Sequence, residues 1–372
     1  MKLLSPIKRF FKHPVRNIFR CMVASAIVAA IFGGVAIHFG QKSAEQLECN
    51  YQQLPAEALP GSGPVRIAFV CDIHNAPDKL EKSIAHLKKA KPDIILLGGD
   101  YVMAHQRFMR TRWMVNGLRK LAEIAPVFAI LGNHDYEKLD QVERVMQTAE
   151  IPILRNEART WETPAGGTVC LVGLGDWNEG DEDPHSCLLP QGEEESAVLL
   201  LSHDPESRWL LRQYDWDLML SGHTHGGQIG NPFTTPVQYI SFRSSMPAGL
   251  FDFEGGRRVF VSRGAGSILG MRFFCAPEIN IIDIGDRASF TPPAEDAEDE
   301  ADTTEQAEET DSPEEEESTE PAPVPTEPEK LDVSPSAADA IPAPPPAEDS
   351  TITPEPPAPA DDTIIPELPV AA

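Results

Sequence analysis

Nowhere does the chain place two cysteines in a Cys-x-x-Cys pair, although it has six: Cys21, Cys49, Cys71, Cys170, Cys187 and Cys275. A zinc knuckle or a thioredoxin-type redox centre is therefore unsupported. Cys71 and Cys170 sit in apolar runs and read as small buried hydrophobes. Cys187 and Cys275 are the candidates for pairing in an oxidising compartment, subject to geometry. Positive charge is scarce as well, with 31 Lys and Arg against 58 Asp and Glu. The imbalance is local: 25 acids and one base, Lys330, lie between Thr291 and Ala372, a net of −24 out of −27. The remaining body carries only −3, so it lacks the basic footprint of nucleic-acid binding, and no nucleic-acid partner is expected.

Aromatic residues stop at Phe290. Beyond it Pro, Glu, Asp, Ala and Thr dominate, and such a segment buries too little apolar surface to offset its ordering entropy. Residues 288–372 are expected to form a disordered, self-repelling acidic tail. Simple solvation is its plain role, and recruitment of a basic partner is the alternative.

Charge is also absent from Cys21 to Ile37. Seventeen helical residues span about 25 Å, near the lower limit for crossing a bilayer. The preceding segment carries Lys2, Lys8, Arg9, Lys12, Arg16 and Arg20 and no acid. Interleaved apolar residues give it a basic amphipathic face suited to anionic headgroups, with Pro14 interrupting any single helix there. No twin arginine precedes the apolar run and no clear small-x-small cleavage site follows it. Residues 1–40 therefore read as an uncleaved anchor, single-pass or interfacial, with membrane lipids as partners. The positive flank should stay cytoplasmic, which would place the remainder of a spanning chain outside. Residues 41–64, polar with Pro55, Pro60, Gly61 and Gly63, read as a linker.

Residues 65–287 alternate short apolar runs with helical stretches. The strands expected are Val65–Cys71, Asp93–Leu97, Val127–Leu131, Thr168–Gly173, Ala197–Ser202, Asp217–Leu220, Arg258–Ser262 and Ile279–Ile284. The helices expected are Asp78–Lys91, Phe108–Ile124, Glu137–Ala149 and Pro205–Gln213. The alternation argues for an α/β layered fold with a second sheet packed on the first. Trp209, Trp216, Phe273 and Phe274 read as core, with an acyl-binding groove as the alternative.

Five polar signatures stand where apolar runs stop: Asp72-Ile73-His74, Gly99-Asp100, Gly132-Asn133-His134-Asp135, Ser202-His203-Asp204-Pro205 and Gly222-His223-Thr224-His225-Gly226-Gly227. They hold five of the ten histidines. In open α/β sheets, ligands bind beyond the carboxyl ends of strands, so these groups would converge on one edge. Each signature alone is an ordinary turn or a satisfied histidine, but the ordered set is not. Imidazole and carboxylate together suit borderline divalent metals, and a carboxylate can bridge two.

This ordered pattern resembles the calcineurin-like metallophosphoesterases over about Val65 to Ile284. Leu97-Gly98-Gly99-Asp100-Tyr101, Gly222 to Gln228, Arg263-Gly264-Ala265-Gly266, Arg272 and Pro277-Glu278-Ile279 are similar to a bacterial membrane-associated branch. That branch contains broad phosphodiesterases and the UDP-2,3-diacylglucosamine pyrophosphatases of lipid A synthesis. The resemblance implies a four-layer α/β/β/α sandwich and two divalent metals, Mn favoured over Fe or Zn. It implies that Asp72, His74 and His225 bind the first metal, that Asn133, His203 and His223 bind the second, and that Asp100 bridges both. His134 would be catalytic near the leaving group, and Arg263 or Arg272 would bind the phosphoryl oxygens. Water activated between the metals would attack phosphorus in line. Cys71 stands where serine is more usual. The expected reaction is hydrolysis of a phosphodiester or pyrophosphate bond, UDP-2,3-diacylglucosamine or another nucleotide-lipid favoured. The alternatives are a broad phosphodiesterase, or a membrane-bound interaction protein with a vestigial site. A bacterial inner-membrane location conflicts with a cytoplasmic nucleotide-lipid if the anchor places the body outside.

Overall fold

The computed structural model describes residues 14–103, 111–189, 192, 196–234, 238–240 and 244–286. The basic segment through residue 13, His105, the start of the helix expected from Phe108, and the acidic tail lie outside the described residues.

Helix α1 (Pro14–Glu45) runs well past the charge-free stretch. Its large apolar side chains, from Val15 to Phe39, are exposed, with Phe39 partly covered by Phe274. It is the one helix among the described residues long and apolar enough to cross a membrane. Its carboxyl end is tied down by Lys79, whose ammonium donates to the carbonyls of Ala44 at 2.6 Å and Gln46 at 2.7 Å. A cation at a helix carboxyl end satisfies carbonyls that have no partner within the helix.

The segment expected to be a linker is not one. Glu48–Leu54 is strand β1, and it pairs in parallel with β13 (Glu278–Ile284) from Glu48 opposite Glu278 to Leu54 opposite Ile284. The strand lies at a sheet edge, half exposed, so only Cys49, Tyr51 and Leu54 reach apolar neighbours and its polar remainder hides it.

The first sheet has the order β1-β13-β2-β3-β4, with β2 (Val65–Val70), β3 (Ile94–Leu97) and β4 (Val127–Ala129) parallel. Every residue of β2 and β3 is buried, because both faces are covered. Ala68, Val70, Ile95 and Leu97 meet α2 (Pro77–Ala90), α3 (Thr111–Ala122) and the helix Leu139–Ala149. Ile67, Phe69, Ile94 and Leu96 point the other way, into the second sheet.

That sheet comprises β5 (Glu157–Glu162), β6 (Thr168–Gly173), β7 (Ala197–Leu201), β8 (Leu218–Ser221), β11 (Gly249–Asp252) and β12 (Arg258–Val261), in the order β11-β12-β8-β7-β6-β5. Its four inner strands are parallel. Leu199 and Leu201 fill the space between sheets. Val198 and Leu200 face an outer layer with Leu211, Tyr214, Trp216 and Met246. The α/β class and the packing of one sheet on another follow the expectation. The helix expected over Pro205–Gln213 is shorter, a 3-10 turn Pro205–Ser207 followed by Arg208–Leu211. A two-stranded ribbon, β9 (Gly230–Asn231) with β10 (Gln238–Tyr239), stands apart from both sheets. Cys187 and Cys275 are unpaired, and the buried Cys275 thiol donates to the His225 carbonyl at 3.3 Å.

Candidate metal centre

Each polar signature begins at a strand's carboxyl end: Asp72 after β2, Asp100 after β3, Asn133 after β4, His203 after β7 and His223 after β8. The turns that aim them are tight. Asp72, His74, Asp100, His223 and His225 all adopt positive φ, from 47° to 66°. Non-glycine residues in that region carry strain, tolerated where the surroundings over-determine it. Asp135 supplies part of that determination. Its buried carboxylate accepts from the amides of Asp100 at 2.7 Å, Tyr101 at 2.9 Å and Gly132 at 3.0 Å, fastening two signature loops together. Asp135 thus holds the two loops in register.

The side chains converge. Asp72 Oδ1 lies 3.5 Å from His225 Nε2 and 4.0 Å from His74 Nε2. Asp100 Oδ2 lies 3.5 Å from His74 Nε2 on one side and 3.2 Å from His203 Nε2 on the other. His223 Nδ1 lies 2.9 Å from Asn133 Oδ1. His134 stands with its ring edge-on to His74, centroids 4.9 Å apart, and its amide donates to Asp100 Oδ1 at 2.9 Å. Three overlapping groups have ligand atoms close enough for one cation: Asp72, His74 and His225; Asp72, Asp100 and His203; and His74, Asp100 and His134.

The donor chemistry fits divalent cations. Asp72 Oδ2 and His203 Nε2 are buried and make no hydrogen bond. His74 Nε2 and His225 Nε2 face each other at 2.9 Å. A cation between such lone pairs satisfies groups that are otherwise costly to bury. Burial pushes His74, His223 and His225 below the ordinary imidazole range, which keeps their nitrogens unprotonated. For His203, burial is outweighed by Asp100 and Asp72, which raise it; a cation would displace that proton. His74 and His203 each set an Nδ1 against a backbone carbonyl, Val102 at 3.1 Å and Gly98 at 2.7 Å, so that Nε2 points inward.

The expected substrate-binding arginines need correction. Arg263 is buried and bonded to Glu278, Nε to Oε2 at 2.7 Å, and to Glu48 at 2.7 Å. Arg272 is wholly buried and donates to the carbonyls of Arg263 at 2.8 Å and Gly264 at 3.3 Å, and to Gly266. It also donates to His225 Nδ1 at 3.1 Å. Neither borders the cavity beside this cluster. A buried guanidinium needs such partners, and these fix both side chains outside the lining of the cavity.

The cavity, about 680 Å³, is bordered by Asp100, Asn133, His134, His223 and His225, and also by Asn178, Asp204, Ile240 and Ile268. Asp204 Oδ2 lies 3.6 Å from His223 Nε2 and accepts from Asn178 Nδ2 at 2.9 Å. Asp204 sits inside a signature, yet only the fold reveals what it backs. Asn178 carries no sequence signal.

Space at the centre is exhausted at Gly132. A Cβ there would lie 2.4 Å from Asp100 Oδ1 and 2.7 Å from the Asp100 amide. Gly132→Ala should therefore cost about 1–3 kcal/mol of stability. It should also lower metal content, read by thermal denaturation and elemental analysis of the same sample. Unchanged stability and metal would show that the two loops are not packed as described.

A family model for calcineurin-like phosphoesterases matches residues 65–227. The chain is 36% identical over 236 residues to Phosphodiesterase YaeI of Escherichia coli (strain K12), covering 60% of this chain and 83% of that protein. It is 26% identical over 275 residues to the uncharacterized metallophosphoesterase YkuE of Bacillus subtilis (strain 168), covering 72% and 94%. It is 26% identical over 274 residues to UDP-2,3-diacylglucosamine pyrophosphatase LpxG of Chlamydia muridarum (strain MoPn / Nigg), covering 59% and 83%.

Proposed function

This chain belongs to the calcineurin-like phosphoesterase family and is a metal-dependent phosphoesterase, and we propose that it hydrolyses a phosphodiester or pyrophosphate bond in a membrane-resident substrate, with UDP-2,3-diacylglucosamine the favoured example. The observation that carries this reading is the convergence of Asp72, His74, Asp100, His203 and His225 beside a cavity bordered by both His134 and the apolar Ile240 and Ile268.

In this reading Asp72, His74 and His225 hold one cation, and Asn133, His203 and His223 hold the other, with Asp100 shared. Manganese is the favoured ion, iron and zinc the alternatives, since mixed imidazole and carboxylate donors suit all three. When bound, the cations supply Lewis acidity toward a phosphoryl group and lower the pKa of water. The chain's own residues do the rest. Asp100 is held by the His134 amide, which ties the shared carboxylate to the catalytic loop. His134, at the cavity wall, is placed to give a proton to the departing oxygen. Asp204, backed by Asn178, orients His223.

Helix α1 serves as a single-pass anchor in a bacterial inner membrane. Its positive flank favours a body outside the cytoplasm, where a nucleotide-linked lipid would have to be presented. A broad phosphodiesterase has no such requirement, and the likeness to Phosphodiesterase YaeI supports that second reading. Both are tested on the full chain in detergent, stripped with chelator and reloaded with Mn, Fe or Zn. Turnover of UDP-2,3-diacylglucosamine is compared with that of bis(p-nitrophenyl) phosphate. Activity should vanish on chelation and return with metal. A kcat/KM for the nucleotide-lipid about 100-fold above the aryl diester, near 3 kcal/mol, supports the first reading. Equal values favour the second, and a metal-loaded protein inert to both would leave only a scaffold role.

A further inference from the structure

Nine large apolar side chains are exposed on the described body beyond α1, and six of them lie in two segments: Ile229, Phe233 and Ile240, and Ile268, Leu269 and Phe274. Scattered exposed apolar residues are ordinary, whereas a concentration marks a contact surface. The two segments are joined. The Phe273 amide donates to the Gln228 carbonyl at 2.9 Å, the Gly230 amide to Phe273 at 2.7 Å, and the Ile240 amide to Ile229 at 2.9 Å.

The same surface receives the end of α1. The Arg272 amide donates to the Gly40 carbonyl at 2.9 Å, and the rings of Phe39 and Phe274 lie 5.2 Å apart. Gly40 sits against Phe273 so closely that a Cβ would lie 2.7 Å from the ring. Phe39 is the last apolar side chain before Gly40-Gln41-Lys42. Phe274 thus lies level with the end of the apolar stretch of α1. From there the patch continues to Ile240 and Ile268, which also border the catalytic cavity.

We infer that this apolar rim seats on the same bilayer that α1 enters, so that the cavity opens at the membrane surface. An amphiphilic phosphoester would then reach the site with its acyl chains still in lipid and only its phosphate-bearing head entering. The inference rests on the anchored-hydrolase reading above. It adds that loops far from α1 in sequence make their own contact with lipid, continuous with an exposed apolar helix and therefore suited to the same occupant.

The test uses the full chain reconstituted in phosphatidylglycerol vesicles whose acyl chains carry bromine, a short-range quencher of tryptophan. Leu269→Trp is the reporter, since Leu269 is 74% exposed and does not border the cavity. Leu189→Trp is the control; Leu189 is bonded to Asp215 at the start of β8, the end opposite the metal centre. About half of the emission added by Leu269→Trp should be quenched, as for a side chain at headgroup depth, and that added by Leu189→Trp should not. Phe233→Trp replaces the reporter if Leu269→Trp does not fold. Equal quenching at reporter and control overturns the seating. Turnover of bis(p-nitrophenyl) phosphate in the same vesicles separates the two claims. Quenching without turnover leaves the seat and removes the hydrolase reading; turnover without differential quenching does the reverse.

Discussion

Asp100→Ala should leave a folded protein that binds neither cation and has lost about 10⁴-fold or more in turnover, near 5 kcal/mol of transition-state stabilisation. One oxygen of Asp100 lies 3.5 Å from His74 of one proposed site and 3.2 Å from His203 of the other, closer to both than Asp72 Oδ1, which is 4.0 Å from each. Its other oxygen accepts the His134 amide. Removing the side chain would take away the carboxylate that the two cations would share, and with it the acceptor of the His134 amide. The fold should survive because the Asp100 main chain is held independently, its amide donating to Asp135 at 2.7 Å. Alanine at a φ of 57° adds a cost of about 1 kcal/mol. Asp100→Asn avoids much of that cost while still removing the bridging charge. Elemental analysis with circular dichroism separates metal loss from unfolding. A folded, metal-replete and fully active Asp100→Ala would show that the carboxylate bridges nothing.

His134→Ala should behave in the opposite way, keeping its metals while turnover falls about 10²- to 10⁴-fold, the range for losing one general acid. The structure makes this a sharp test, since His134 can reach the same point as His74 and Asp100. A ligand and an acid would sit in almost the same place. The leaving group tells them apart. An aryl phosphodiester with an acidic phenol departs without much help, so its loss should be smaller than for an alkoxide leaving group. Added imidazole should restore part of the rate. Loss of metal, with an equal rate loss for every leaving group, would make His134 a ligand.

What was legible in the sequence follows a physical pattern. β2, β3 and β7 are buried on both faces, so their runs are apolar except at Arg66, which Asp283 neutralises, and their ends stand within a residue or so of the expected places. The polar signatures were legible because glycines and histidines at strand ends are conspicuous against those runs. β1 and β5 were missed because edge strands keep polar residues on their open sides; in β5 only Trp161 is buried. The arginines misled for another reason. A basic residue near a phosphate site invites a substrate role, but the partners that claim Arg263, Glu48 and Glu278, are far apart in sequence and meet only when β1 pairs with β13.

The residues alone determined the class of chemistry, the α/β layering and the apolar helix, since each is written in short-range patterns of polarity and period. Tertiary structure decided which side chains share a point in space, that Asp204 stands behind His223, that Arg272 stands behind His225, and that the end of α1 meets the loop following the metal centre. Those facts depend on contacts between residues some twenty to more than two hundred positions apart. No local periodicity carries them, because only the packing of two sheets brings such positions together.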